Sequence, residues 1–266
     1  MVRQPAVAGK FYSSNPEKLR EDLAALVPQG EADRAIGIVA PHAGYVYSGK
    51  VAGFLYGAIR IPDTVLVIGP NHTGIGAPAA LSPSREWLTP LGAVPVNSRL
   101  SKLILKHAPQ VREDASAHRF EHSIEVQLPF LQYRTPKVSI AALCVSIYDF
   151  DSLSRLGEGV ARAISEYGEE VLIVASSDMT HYESARAAKA KDELALAQLS
   201  ELNPEGLLRV CREKDITMCG VIPAAVMLVA AKALGATRCR LINYATSGEV
   251  NGDLQRVVAY AAVTVC

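Results

Sequence analysis

This 266-residue chain lacks a charge excess, a membrane-length apolar run and any regular cysteine spacing. Lys plus Arg number 27 and Asp plus Glu number 27, so there is no net basic field to hold nucleic acid or an anionic membrane as the main partner. The longest apolar stretches, Val221–Ala231 and Val257–Cys266, fall short of the roughly 20 residues that span a bilayer. Five cysteines, odd in number and irregularly spaced, do not form a disulfide framework. The first residues, MVRQPAVAGKFY, contain no apolar signal core. A Walker loop, GxGxxG and CxxC are missing, and the absence of GxSxG argues against a serine hydrolase. Together these absences predict a soluble protein of the reducing cytoplasm, with neither nucleic acid nor membrane as partner.

Apolar residues make up 49% of the chain, enough for a sizeable core. Without repeats, low-complexity tracts or linkers, residues 1–266 read as a single domain. Asn15-Pro16 starts a helix with Leu19, Leu23 and Leu26 on one stripe. Strands are expected over 36–40, 64–69, 137–145 and 170–176, with a hairpin or short strands in the Pro-rich stretch 78–96. Helices are expected over 48–60, 98–107, 120–133, 150–167, 184–199, 204–213 and 223–234, with Pro129 interrupting or kinking the fourth. The segments 238–245 and 257–265 read as a final antiparallel pair joined by a Gly-rich turn. Alternating strands and helices imply an α/β fold around a mainly parallel or mixed central sheet covered on both faces.

Two of the predicted strands end alike. Ile36–Ala40 runs into Pro41-His42, and Thr64–Gly69 runs into Pro70-Asn71-His72, each followed by a Gly-bearing loop. Ligands in open α/β sheets gather outside the carboxyl ends of strands, so both imidazoles can enter one crevice as half of a transition-metal site. A third strand end delivers Asp178 and His181, a carboxylate and an imidazole suited to proton transfer or ligation, although Asp178 could equally cap the next helix. His118, Glu121, His122 and Glu125 have helical spacing on one face, which for His118 and Glu125 predicts solvent exposure. Cys219 precedes an apolar helix, where the dipole would favour a metal-binding thiolate, while a small buried thiol is the plainer reading.

The stretches AVAGKFY (6–12), PHAGYVYSG (41–49), GPNHTG (69–74), EHSIEVQLPF (121–130), SSDMTHY (176–182) and Cys219-Gly220 together resemble the Memo family, named for a mediator of cell motility. That family is similar to the class III extradiol dioxygenases, non-haem iron enzymes. The resemblance implies a single α/β sandwich with its site at one sheet edge. It implies His42, His72 and Cys219 as metal ligands, with Cys219 where the dioxygenases use a carboxylate. His181 would be the acid–base residue, and His122 would handle the substrate oxygen. Asp178 would line the same pocket and tune His181 for catalysis, and Tyr45, Asn71, Glu121 and Tyr182 are expected to bind the substrate.

The expected function is therefore a metal-dependent redox or dioxygenase-like protein acting on a small molecule. Iron is the first expectation, and the thiolate opens copper or zinc. A binding protein for a peptide or small anion, without catalysis, is the alternative from another class, and a zinc hydrolase is a third. A homodimer is the prior expectation for such a chain.

Overall fold

The computed structural model describes residues 1–147 and 149–266. In chain order the elements are β1 (Val2–Arg3), α1 (Pro16–Leu26), β2 (Gly37–Ala40), α2 (Tyr45–Ala58), β3 (Thr64–Pro70), β4 (Ala79–Leu81), β5 (Glu86–Thr89), β6 (Gly92–Pro95), α3 (Ser98–His107) and β7 (Arg112–Glu113). Then follow α4 (Leu128–Arg134), β8 (Ser139–Val145), α5 (Phe150–Tyr167), β9 (Val171–Ser176), β10 (His181–Glu183), α6 (Ala185–Ser200), α7 (Pro204–Glu213), α8 (Val221–Ala233), β11 (Cys239–Thr246), α9 (Gly248–Asn251) and β12 (Val257–Val265).

Among the described residues nine strands form one sheet in the order β10-β12-β2-β9-β3-β8-β4-β7, with β11 also paired to β12. Its centre, β2-β9-β3-β8, is parallel, whereas β12 pairs antiparallel with β2, β10 and β11, and β4 pairs antiparallel with β8. β1, β5 and β6 make a separate three-stranded sheet. The central strands are buried on both faces, so their side chains alternate between two cores. Val39, Leu66, Ile68 and Ile173 pack with residues of α3, α5, α7 and α8. Ile38, Val65, Val67, Leu172 and Val174 pack with residues of α1, α2 and α4.

Local signals set several limits. Asn15, Asn97 and Asp149 accept amide hydrogens in the first turns of α1, α3 and α5, and Pro16 stands at the start of α1. Helix α2 begins at Tyr45, three residues before the expected start at residue 48, and its Phe54 is 39% exposed.

The largest departure is residues 120–127, the first part of the expected helix, which do not form it. They run through turns and short 3-10 segments, and α4 begins only at Leu128. Pro129 sits in the first turn of α4, where its missing N–H costs nothing, so it opens that helix instead of kinking one. His118 and Glu125, expected in solvent, are 1% and 0% exposed. Their side chains bond to distant backbone and side-chain groups, and that tertiary demand overrides the helical spacing.

Candidate metal centre

Because β2, β9 and β3 are parallel and in register, their carboxyl ends meet at one edge. His42 leaves the end of β2, His72 follows β3, and Ser176 closes β9. The loop carrying His122 crosses above them. The imidazole centroids of His42, His72 and His122 stand 4.7–5.4 Å apart, with His72 and His122 stacked at 14°. One ring nitrogen from each lies within 4.8 Å of the others. Cys219 Sγ is 3.3 Å from His42 Nε2. These groups line a cavity of about 440 Å³ with Phe11, Asp178, His181, Tyr182, Thr217 and Val258.

The hydrogen bonds around the rings decide which nitrogen is available. The Ser176 hydroxyl donates to the Ser123 carbonyl (2.7 Å), so its oxygen accepts from Gln127 Nε2 (2.8 Å) and from His42 Nδ1 (2.9 Å). The His42 proton therefore sits on Nδ1 and its Nε2 lone pair faces the cluster. His72 Nδ1 donates to Glu121 Oε1 (2.9 Å), which leaves Nε2 of His72 free in the same way. Burial, helped by the neighbouring His122 and His72, holds His42 well below the usual histidine range. Burial also lowers His122, against the pull of Glu121. Neutral imidazole is the ligating form, so the donor set fits a transition metal.

Glu121, expected to contact substrate, lies outside the cavity lining. It is fully buried and accepts the His72 N–H (2.7 Å), the His122 N–H (2.9 Å) and the Ser123 N–H (2.9 Å). Burial alone would raise its carboxyl, but the bonds from His72 and these amides outweigh it and hold it well below the usual range. It aims His72 and anchors the His122 loop.

Two more residues expected at the substrate pocket have their side chains engaged elsewhere. Tyr45 is 7% exposed, its hydroxyl donates to the Val126 carbonyl (2.8 Å), and its ring packs on Phe130. An early start to α2 turns this side chain into the core. Asn71 folds its own loop, accepting from Thr73 Oγ1 and Gly74 N and donating to the Ile75 carbonyl, all at 2.9 Å.

Asp178 does not cap α6, a role taken by Ser184. Its Oδ1 accepts the His42 N–H (2.8 Å), and burial raises its carboxyl to about 6 despite that bond. His181 is oriented by Thr217: its N–H donates to Thr217 Oγ1 (2.7 Å) and its Nδ1 donates to the Thr217 carbonyl (3.0 Å). This fixes the tautomer and leaves Nε2 as the basic nitrogen. Tyr182 stands at the cavity rim, 66% exposed, with φ 62° at an irregularity in the β10–β12 pairing and Arg256 5.0 Å above its ring.

Cys219 reaches the site because Gly220 lets the chain press against β9, where a Cβ would collide with the Ser176 carbonyl oxygen. The Asp178 N–H donates to its sulfur (3.3 Å). Burial, and then the Asp178 charge, push the thiol far above its ordinary value, so the expected helix-dipole activation does not prevail in the metal-free protein.

Sequence reasoning left Phe11, Ser176, Gln127 and Thr217 without roles. Phe11, Gln127 and Ser176 lie within the stretches that resemble the family, and Thr217 stands two residues before Cys219, but nothing local says which group each one touches.

A family model described as Memo-like protein matches residues 3–264. A MEMO1 family protein of Pyrobaculum arsenaticum is 41% identical over 275 residues, covering 98% of each chain. Another from Methanosarcina barkeri is 41% identical, covering 99% of this chain and all of the relative. One from Aquifex aeolicus is 42% identical, covering 97% of both. Among solved structures, an uncharacterized protein from Escherichia coli K12 aligns with a TM-score of 0.57 at 15% identity, over 87% of this chain and all of that one, a likeness of fold alone. No helix among the described residues is long and apolar enough to cross a membrane.

Proposed function

The chain belongs to the Memo-like family, and from that premise we propose that it is a metal-dependent redox protein acting on a small oxygen-bearing molecule, with non-haem iron as the first metal. The observation that carries the reading is the convergence of His42, His72 and His122, with the Nδ1 protons of His42 and His72 committed to Ser176 and Glu121. His42, His72 and His122 would hold the ion, with Cys219 as the adjacent sulfur donor. Bound iron or copper would supply one-electron chemistry and a Lewis acid for a substrate oxygen.

The protein's own groups suit that chemistry. His181, with Nδ1 held by Thr217, presents Nε2 to take or return a substrate proton. Asp178, raised to about 6, is close enough to neutrality to share in proton traffic near pH 6. Phe11 and Val258 give the cavity apolar walls that exclude water from part of the site. A mixed nitrogen and sulfur donor set also suits zinc, which supports hydrolysis as the second reading.

Metal analysis of untagged protein, purified without added metal and compared with His42→Ala and Cys219→Ser, tests the proposal. Iron or copper near one per chain, lost in His42→Ala, is the expected result. Zinc with no oxygen consumption would transfer the assignment to hydrolysis. No metal in any of the proteins, even after anaerobic iron loading, would overturn the reading and leave a pocket that only binds peptide or small anions.

A further inference from the structure

The fully buried carboxylate of Glu125 takes no part in the metal reading. It accepts the Ala6 N–H (2.8 Å), the Val7 N–H (3.0 Å) and the Tyr12 hydroxyl (2.6 Å), and it pairs with Arg3. Arg3 spends its remaining donors on the loop that carries His122, reaching the His118 carbonyl (3.1 Å) and the Glu121 carbonyl (2.6 Å). Between these anchors the chain folds into a tight turn. The amides of Lys10 and Phe11 donate to the Val7 carbonyl, and that of Gly9, at φ 80°, donates to the Tyr12 carbonyl. The Phe11 carbonyl accepts the Tyr45 N–H (2.7 Å), and the Phe11 ring ends 4.8 Å from His122 as one wall of the cavity.

We infer that residues 6–12 form a strap latched by Glu125, and that Phe11, the wall this strap holds against His122, limits the size of ligand that reaches the imidazole cluster. Glu125 and Tyr12 are positioning residues, acting on the site only through Phe11. A carboxylate with four donors, three of them on one seven-residue segment, holds that segment in one place. An aromatic ring in van der Waals reach of a donor imidazole leaves little room for bulk on that side. The size argument rests on the metal reading above, whereas the strap itself does not.

Two measurements on the full chain separate these ideas. The first is timed carbethoxylation of metal-free protein by diethyl pyrocarbonate, read residue by residue by mass spectrometry, with His107 on distant α3 as the reference. Phe11→Ala is expected to speed labelling of His122 about fivefold, with Phe11→Leu near wild type and His107 unchanged. Tyr12→Phe and Glu125→Gln, which loosen the latch to different degrees, should raise the His122 rate in that order. Equal rates in wild type and Phe11→Ala would overturn the strap, as would a rise at His107 equal to that at His122.

The second is titration of cobalt(II)-loaded protein with azide and with phenylimidazole, followed by the visible spectrum. Phe11→Ala should bind phenylimidazole about tenfold tighter with azide unchanged. Equal shifts for both probes, or none, would overturn the size limit. Failure of wild type to take up cobalt would count against the metal reading alone, because the labelling experiment still decides the strap.

Discussion

Glu121 and Glu125 belong to the same loop and are both fully buried, yet they serve opposite clusters. Glu125 turns toward Arg3 and the N-terminal strap, where positive charge, amides and a hydroxyl surround it. Glu121 turns toward His72 and the His122 amide, and beyond it stand imidazoles whose lone pairs converge. The first cluster closes on itself, with charge balanced and both carboxylate oxygens hydrogen-bonded. The second is closed only on its outer side. Polar groups that satisfy one another hold a fold together, and polar groups that converge with basic nitrogens unspent are arranged for something that arrives.

The contrast can be broken most forcefully at the closed cluster. Glu125→Ala strands the Arg3 cation in the interior, and we expect a loss of about 3–5 kcal/mol in denaturant unfolding. A loss under about 1 kcal/mol would mean that the cluster holds little.

Acid strikes the same region. Burial holds His118 down to about 4, whereas the unfolded chain protonates its histidines near 6.5. The unfolded state therefore binds more protons between these values, so stability is full above about 6.5 and falls as pH drops toward 4, by up to about 3 kcal/mol. Unfolding of metal-free wild type and His118→Gln at both pH values checks this, and a variant as acid-sensitive as wild type would assign the loss elsewhere.

The smallest effect sharpens the other side. Glu121→Gln keeps the shape but removes the charge that aims His72, and metal affinity should fall about 10- to 100-fold with the fold intact. Equal affinity in a competition titration would remove Glu121 from the site.

Much of the scaffold is legible in the sequence. Helices α3 and α5 have the limits their patterns predict, because Asn97 and Asp149 are caps that act within one turn of themselves. The strands carrying His42 and His72 are legible for a similar reason: a short apolar run that stops at Pro is a local event. The resemblance to the Memo family implies His42, His72, His122 and Cys219 at one site, and the structure places them around one cavity. Roles were less legible than places. Tyr45 and Asn71 lie beside the histidines in sequence, yet one ring enters the core and one amide folds its own loop.

By itself, the sequence determined the α/β class, the parallel centre of the sheet and the chain positions of the donor residues. Each follows from periodicity, caps and punctuation that act over a few residues. Only the tertiary structure decided that residues 120–127 abandon a helix, that Glu121 and Glu125 serve different clusters, and that the Cys219 thiol is raised instead of lowered. Those outcomes depend on partners distant in sequence, such as Arg3, 122 residues from Glu125, and Asp178, 41 residues from Cys219. Burial sets their energies, and burial is a property of the packed chain, which no local pattern contains.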